Sequence, residues 1–206
     1  TNDIHCGIND NIGFAGLAQI KKDALARTPN VALVDAGDAI QGAPIGKLSR
    51  GLAVVDIMNY LGYDFCIPGN HEFDYGMDRF LELVPLQRAG YYCANFVYAG
   101  NNKQVLPGYK IMQYEDTKVA FVGASTPESL TTSTPTFFQN EKGKYIYSFC
   151  EDKTGNKLYK QLQKNVDKAR KDGADYVFIV GHLGMDGTTP QWSSESVAKN
   201  TQGVDA

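Results

Sequence analysis

The sequence predicts a fold of the α/β class, and three observations lead to this prediction. Apolar runs bounded by Gly, Pro or Asp alternate along the chain with longer segments of helical period. No segment repeats itself. The chain has 206 residues, 43% of them hydrophobic, which is enough for one domain with a stable core. Alternating strands and helices of this kind are typical of sheets covered by helices.

The first half of the chain is expected to alternate helices with short strands. The predicted elements are a helix over Gly13–Arg27, a strand over Val31–Val34, a helix over Leu52–Leu61, a strand over Asp64–Ile67, a helix over Met77–Arg88 and a strand over Tyr91–Asn95. The residues expected on the buried side of the first helix are Phe14, Leu17, Ile20 and Leu25.

The second half contains a long stretch without periodicity. Before it, two strands joined by a tight acidic turn are expected, and after it a helix and a buried strand. These elements are Tyr109–Tyr114, Lys118–Val122, Lys157–Lys171 and Tyr176–Val180. The stretch itself, Pro127–Asn156, predicts a long loop with a hairpin near Tyr145–Phe149. The polar tail from Thr188 onward receives no assignment.

Charge and hydropathy exclude several classes of function. With 20 basic and 23 acidic residues and no run of like charge, the sequence predicts neither a nucleic-acid polymer as partner nor a polybasic membrane anchor. No apolar stretch approaches the roughly 18 residues of a membrane span, and no signal peptide opens the sequence. Phosphate chemistry in such a chain would need positive charge from bound metal ions.

The four cysteines stand singly, without the close pairing of a disulfide framework or a zinc knuckle. They are Cys6, Cys66, Cys93 and Cys150. Free buried thiols are the expected state, with disulfides as the alternative. Cys6, beside His5, is expected to fill the core rather than to bind a metal.

Four short motifs, each at or after an apolar run, carry residues that can bind metals. They are Asp3-Ile4-His5, Gly37-Asp38 with Gln41-Gly42, Gly69-Asn70-His71-Glu72-Phe73-Asp74, and Gly181-His182. Strand ends meet at one edge of a sheet, so these motifs are expected to form one site. All three histidines of the chain lie in them.

The ligand types favour a mixed oxygen and nitrogen metal site. Asp3 and His5 are two residues apart, so in extended geometry their side chains would lie on the same side. The Asp38 carboxylate can bridge two ions, while Asn70 offers an amide oxygen and His182 an imidazole nitrogen. Such a set suits Mn, Zn, Fe or Mg.

Each of these motifs and residues, taken alone, also has a purely structural interpretation. A single Gly-His at a strand end is usually a hydrogen-bonded structural histidine, and Gly-Asp followed by Gly is usually a turn. Asp74 could cap the helix expected at Met77. Trp192 could line a substrate path or simply anchor a loop. The joint occurrence of all four motifs favours the metal site.

Taken together, the four motifs resemble those of the calcineurin-like metallophosphoesterases. The version Gly-Asn-His-Glu-Phe-Asp-Tyr-Gly, at residues 69–76, is similar to that of the 5'-nucleotidase and UDP-sugar hydrolase branch. The resemblance implies a four-layer α-β-β-α sandwich with two mixed sheets. It also implies that Asp3, His5 and Asp38 hold one divalent ion and that Asp38, Asn70 and His182 hold a second. The ions would be Mn, Zn, Fe, Mg or Ca.

The same resemblance implies a catalytic role for a histidine that is not a ligand. His71 would stabilise the transition state or protonate the leaving alkoxide, and Asp74 would hold it. The implied reaction is two-metal hydrolysis of phosphomonoesters, above all of 5'-nucleotides to nucleoside and phosphate. UDP-sugar or 2',3'-cyclic nucleotide hydrolysis is the alternative within this chemistry. A non-catalytic, metal-stabilised surface module is the alternative outside it.

The resemblance further implies that residues 1–206 form a catalytic domain truncated at both ends. The strand that normally precedes the Asp-x-His motif, a later Gly-His-Ser motif and the C-terminal domain that stacks the nucleobase are all expected to be missing. Because that branch is mostly exported, we expect an extracellular, cell-wall or periplasmic location.

Overall fold

A computed structural model of the protein describes residues 1–185 and 189–206. The helices are α1 (Gly13–Leu25), α2 (Pro44–Ser49), α3 (Leu52–Leu61), α4 (Met77–Leu83), α5 (Ser129–Thr132), α6 (Asn156–Lys171) and α7 (Ser194–Asn200). The strands are β1 (Val34–Asp35), β2 (Phe65–Cys66), β3 (Val97–Tyr98), β4 (Tyr109–Tyr114), β5 (Thr117–Ser125), β6 (Tyr147–Ser148) and β7 (Tyr176–His182). Single 3-10 turns occupy His71–Phe73, Val84–Leu86, Pro135–Phe138 and Pro190–Trp192.

The strands of the described residues form one mixed three-stranded sheet and two two-stranded pairs, whereas two mixed sheets were expected. β1 and β2 pair in parallel, with Val34 opposite Phe65. β5 pairs antiparallel with β4 and parallel with β7. The β5–β7 register ends with Ser125 opposite His182, so both strands finish at the same edge. β3 and β6 form a separate antiparallel pair.

The buried apolar side chains form three clusters, one between each pair of adjacent layers of a four-layer sandwich. Along β5, Ala120 and Val122 face α6, whereas Phe121 faces the β1–β2 sheet. Between the sheets, Phe65 stacks on Tyr92 at 4.8 Å between ring centroids and lies 5.7 Å from Phe121. A third cluster covers the outer side of the β1–β2 sheet, beneath α3 and α4. The predicted α-β-β-α order is confirmed.

The first helix buries less than its sequence suggested. Of its apolar side chains only Phe14 is fully buried and Leu17 partly so, while Ile20 and Leu25 are 53% and 47% exposed. The prediction for Ile20 and Leu25 was wrong, because Lys21 makes the contact with α3. Its Nζ donates to the Leu61 carbonyl at 3.2 Å, at the last residue of α3.

Two strands differ from the prediction because of their hydrogen-bond partners. The first lies at Val34–Asp35 rather than Val31–Val34, because the amides of Val31 and Leu33 donate to the Pro29 carbonyl and the Asp64 carboxylate instead of to a strand. The predicted strand Tyr91–Asn95 is absent, apart from one bridge between Tyr91 and Cys66. Successive amides in that stretch donate to Cys66, Pro107 and Gly123, so no single neighbour can form a ladder with it.

Proline sets two helix boundaries that the periodicity did not show. The helix predicted to reach Arg88 ends at Leu83 and continues as a 3-10 turn containing Pro85, which lacks the N–H that an α-helix needs. α2, which was not predicted, has Pro44 in its first turn, where that missing N–H costs nothing.

The long stretch 127–156 is more ordered than predicted. It contains α5, a 3-10 turn and β6, which pairs with β3. The predicted hairpin is present as one antiparallel bridge, between Gln139 and Tyr145. Phe138 and Phe149 are fully buried and pack on Phe73 at 5.2 and 5.5 Å between ring centroids. In the tail, Thr188 lies outside the described residues, and α7 begins after Ser193, whose hydroxyl accepts from the Ser196 N–H at 3.2 Å.

The cysteines agree with the favoured expectation. All four are buried and none forms a disulfide. Burial is the leading cause that raises the pKa of Cys6 to about 11 and that of Cys150 to about 12. These thiols are therefore core-filling groups rather than nucleophiles or thiolate ligands at neutral pH.

Candidate metal centre

The N-terminal segment lies alongside β1 and the loop that follows it. Its amides bind successive carbonyls of that segment: Asp3 N–H donates to Gly37 at 3.0 Å and His5 N–H to Asp38 at 2.9 Å. Asp3 and His5 have φ of +52° and +47°, so the expected extended geometry was wrong. These main-chain bonds hold both residues in left-handed conformations. Their side chains nevertheless meet, with His5 Nε2 3.6 Å from Asp3 Oδ1.

Two glycines allow the loops after β1 and β2 to touch. Gly37 has φ of +94°, and a Cβ there would collide with the main chain of Gly69. A Cβ on Gly69 would in turn collide with the Asp38 carboxylate. The first motif loop therefore packs directly on the third, and only glycine at both positions permits it.

The candidate ligands converge at the edge where β1, β2 and β7 end. Asp3, Asp38 and His182 present ligand atoms that lie within 4.8 Å of one another. His182 Nε2 lies 3.2 Å from Asp38 Oδ2 and 3.2 Å from Asn70 Oδ1. His5 Nε2 lies 3.9 Å from the same Asp38 oxygen. Asp38 thus stands at the centre of the five residues singled out from the sequence.

Main-chain carbonyls orient both candidate histidine ligands. His5 Nδ1 lies 3.1 Å from the Gln41 carbonyl, and His182 Nδ1 lies 2.9 Å from the Ala36 carbonyl. Each carbonyl can only accept, so each Nδ1 carries the proton and the lone pair resides on Nε2 in the neutral ring. Carbonyl partners of this kind are typical of metal-binding histidines. The donor set therefore fits a divalent-metal site.

The third histidine is held by a carboxylate instead. His71 Nδ1 lies 2.7 Å from Asp74 Oδ2, and the Ser133 hydroxyl donates to the other Asp74 oxygen at 3.0 Å. The His71 amide donates to Asp38 Oδ1 at 2.7 Å, which joins this pair to the ligand cluster. Asp74 does not cap α4, because the residue before that helix is Gly76 and no side chain bonds its first turn.

Comparison with known proteins identifies the family. The family model for calcineurin-like phosphoesterases matches residues 1–206. The chain is a calcineurin-like phosphoesterase. The resemblance carried by the four motifs is confirmed. The ligand and catalytic roles of the individual residues stay predictions.

Relatives of this phosphoesterase include nucleotide-hydrolysing proteins. The snake venom 5'-nucleotidase of Gloydius brevicauda is 28% identical over 224 residues, covering 100% of this chain and 34% of that protein. A 2',3'-cyclic-nucleotide 2'-phosphodiesterase/3'-nucleotidase of Haemophilus influenzae is 26% identical over 206 residues, covering 92% and 30%. The solved sulfate thiohydrolase SoxB of Thermus thermophilus has a TM-score of 0.76 at 28% identity, covering 94% and 33%. The chain spans about a third of the length of these relatives.

The charges in the phosphoesterase site depend strongly on one another. Burial alone would raise the pKa of Asp38, but the hydrogen bond and charge of His182 outweigh it and lower that pKa. Burial alone would lower the pKa of His182, but the Asp38 carboxylate outweighs it and raises that pKa to about 9. The two side chains therefore form an ion pair at neutral pH, and a metal ion binding to His182 Nε2 must displace a proton.

Glu72 is a site residue that the sequence reasoning missed. It is 1% exposed, and its carboxylate accepts N–H bonds from both motif loops. Oε2 accepts from Asp38 at 2.7 Å and from Gly69 at 2.6 Å, while Oε1 accepts from Ala39 at 2.7 Å. Burial, followed by the charge of Asp38, raises the pKa of Glu72 to about 7. The available signal was its place inside the third motif, between His71 and the buried Phe73.

Replacing Glu72 with Ala is expected to destabilise the phosphoesterase by about 2 to 5 kcal/mol, because several buried N–H groups lose their acceptor. Urea denaturation followed by circular dichroism measures this change. Glu82→Ala is the matched control, since the Glu82 side chain is 64% exposed and its surface ion pair should contribute less than about 1 kcal/mol. Equal stability of the two variants would show that Glu72 does not hold the loops together.

Two remaining residues have plain structural roles. Cys6 is 1% exposed and lies against Gly46 of α2, as expected for a core-filling side chain. Trp192 donates its indole N–H to the Asp152 carbonyl at 3.2 Å and packs against the core beside α6, which favours the loop-anchor interpretation. None of the helices formed by residues 1–185 and 189–206 has the length and apolar character needed to cross a bilayer.

Proposed function

We propose that this chain hydrolyses phosphomonoesters with two divalent ions and that 5'-nucleotides are its main substrates, giving nucleoside and phosphate. The observation that carries the proposal is the His71–Asp74 pair, with its 2.7 Å hydrogen bond, placed beside the ligand cluster. A site that merely stabilised the fold through an ion would have no use for a histidine that is oriented by a carboxylate and is not a ligand.

In this proposal Asp38 is shared between two ion sites. Asp3 and His5 complete one site, and Asn70 and His182 complete the other. The short distances from Asp38 Oδ2 to both ligand histidines support the sharing. The mixture of carboxylate, amide and imidazole groups fits Mn, Zn, Fe or Mg.

The chemistry divides between the ions and the side chains. Divalent ions in such sites lower the pKa of a coordinated water and neutralise charge on phosphoryl oxygens. His71 supplies the proton for the leaving alkoxide. Asp74 accepts from Nδ1, so the proton to be transferred is on Nε2. Although burial alone would lower the pKa of His71, the hydrogen bond and charge of Asp74 and the charge of Asp38 raise it, which favours the protonated ring. Ser133 fixes the Asp74 carboxylate.

The substrate class rests on relatives rather than on geometry. The venom relative is named a 5'-nucleotidase, which supports a nucleoside monophosphate. The Haemophilus influenzae relative is named for action on 2',3'-cyclic nucleotides, which makes these the second candidate. UDP-sugars are a further candidate within the same chemistry.

We also infer that residues 1–206 are the catalytic domain of a longer, exported protein. The matched relatives are about three times as long as this chain, which supports a further domain that binds the nucleobase. The venom origin of one relative supports secretion.

A substrate panel tests the proposal. Phosphate release from 5'-AMP, 3'-AMP, 2',3'-cyclic AMP and UDP-glucose would be measured with added Mn²⁺, with a phosphatase treatment to reveal esters left after a first cleavage. We expect 5'-AMP to react fastest and EDTA to stop the reaction. Fastest reaction of the cyclic nucleotide would replace the main substrate by the second candidate. Tight metal binding with no turnover of any ester, in this chain and in a longer form, would establish the non-catalytic module.

A further inference from the structure

The outward face of α6 carries a straight row of lysines. Its members, spaced three or four residues apart, are Lys157, Lys160, Lys164, Lys168 and Lys171. At 3.6 residues per turn they fall within a sector of about 80° and span about 21 Å along the axis. All five are exposed, whereas Leu158, Leu162 and Val166 on the other face are buried against the sheet. Because the lysines are not consecutive in the sequence, the row becomes visible only once the segment is folded as a helix.

The positive charge of the row is not balanced by acidic residues on the same helix. α6 holds six of the 20 basic residues of the chain but one of its 23 acidic residues. Like charges three or four residues apart oppose helix formation, so such a row weakens the helix that carries it. Among residues 1–185 and 189–206, none of the five lysines has a carboxylate within 4.0 Å.

The acidic groups nearest the row have other partners. Asp167, on the flank of α6, accepts from Gln163. Asp172, just after the helix, accepts from the Tyr109 hydroxyl, and Lys168 lies over that tyrosine ring at 5.6 Å. Glu151, before the helix, accepts from Ser148 and from the Phe149 amide. Asp152, beside it, accepts from the main-chain amides of Thr154 and Lys157. These carboxylates lie beside the row or at its ends, so its centre stays positive.

The first half of the row opens into a groove. Lys157, Lys160 and Lys164 line a cavity of about 570 Å³ together with the polar residues Asn102 and Ser148. Glu151 also lines it. The cavity therefore offers three ammonium groups against one carboxylate, with neutral hydrogen-bonding groups, along one side of α6.

We propose that this groove and the lysine row bind a linear inorganic polyphosphate chain lying along α6, separately from the metal centre. A line of charges one lysine wide matches a single line of phosphates, which ammonium groups bind as point charges. A bilayer would present a plane, and the outward face of α6 has no apolar side chain to insert. Single-stranded nucleic acid requires exposed rings for stacking, and the single ring of α6, Tyr159, is buried.

The test compares two variants that have the same net charge. Lys157, Lys160, Lys164 and Lys171 are changed to Gln in the first, which leaves Lys168 on its tyrosine ring. The control changes four other exposed lysines to Gln: Lys22, Lys47, Lys142 and Lys144. Binding of fluorescently labelled polyphosphate is followed by anisotropy in EDTA at several salt concentrations, so ions at the metal centre cannot hold the polymer. Circular dichroism verifies that both variants fold.

The row variant is expected to lose about tenfold or more in affinity at low salt. The slope of log K against log salt is negative, and its magnitude should decrease by roughly 3. The control should bind within about twofold of the unchanged chain. Equal losses in both variants, or no loss in the row variant, would overturn the proposal. Binding of anionic vesicles or heparin without binding of polyphosphate would overturn it as well. The outcome is independent of phosphoester hydrolysis, which the row variant should retain.

Discussion

Asp38→Ala should remove both metal ions and lower kcat/KM by at least about 10³-fold. Asp38 is the one side chain placed between the two proposed ion sites, so its loss affects both of them. Metal ions contribute several kcal/mol of transition-state stabilisation, and each 1.4 kcal/mol corresponds to about a factor of ten in rate. Metal content after gel filtration, measured by mass spectrometry, gives the stoichiometry directly.

Three further variants separate this result from general damage. Asn70→Ala and Asp3→Ala should each lose one ion and retain the other, because each belongs to one proposed site. Asp56→Ala, on the exposed side of α3, should retain both ions and full activity. An Asp38→Ala protein that still holds two tightly bound ions would mean that another residue is the bridge.

His71→Ala should keep full metal occupancy while losing turnover by roughly 10² to 10⁴-fold, the range expected for removal of a general acid. The loss should shrink for p-nitrophenyl phosphate, because its leaving group scarcely needs protonation. Steady-state kinetics on 5'-AMP and p-nitrophenyl phosphate, with metal analysis of the same samples, measure both effects.

Controls for this variant distinguish three roles of the histidine. Asp74→Asn should give a smaller loss in the same direction, since the ring stays in place and loses only its charged partner. Loss of an ion from His71→Ala would make His71 a ligand. An equal loss for good and poor leaving groups would assign it to stabilisation of charge in the transition state rather than to proton transfer.

The convergence of the candidate ligands was predictable from the sequence because these residues follow apolar runs at strand ends. Asp38, Asn70 and His182 could be located by that rule alone, although their individual roles could not. The geometry of Asp3 and His5 could not be predicted, since their positive φ depends on carbonyls more than thirty residues away. Glu72 was missed for a related reason, because its partners are main-chain amides that no side-chain pattern reveals.

The secondary structure was likewise predictable only in part. Long elements with clear periodicity, such as α3 and α6, were placed to within a residue. Short strands form only where another segment supplies hydrogen-bond partners, which the local sequence does not show. β3 and β6, for example, pair although about fifty residues separate them in the chain. The early end of α4 is a different case, because Pro85 is visible in the sequence and a proline ends an α-helix even where the apolar periodicity continues.

The contact between Gly37 and Gly69 limits how this site can be altered. A Cβ on Gly37 would occupy the space of the Gly69 main chain, and a Cβ on Gly69 that of Asp38. Neither loop can therefore be changed in conformation without displacing the other. Protein engineering aimed at new substrates would therefore leave these two loops untouched. The segment around Ser133 reaches the His71–Asp74 pair through one side-chain hydrogen bond and does not enter the contact between the two loops.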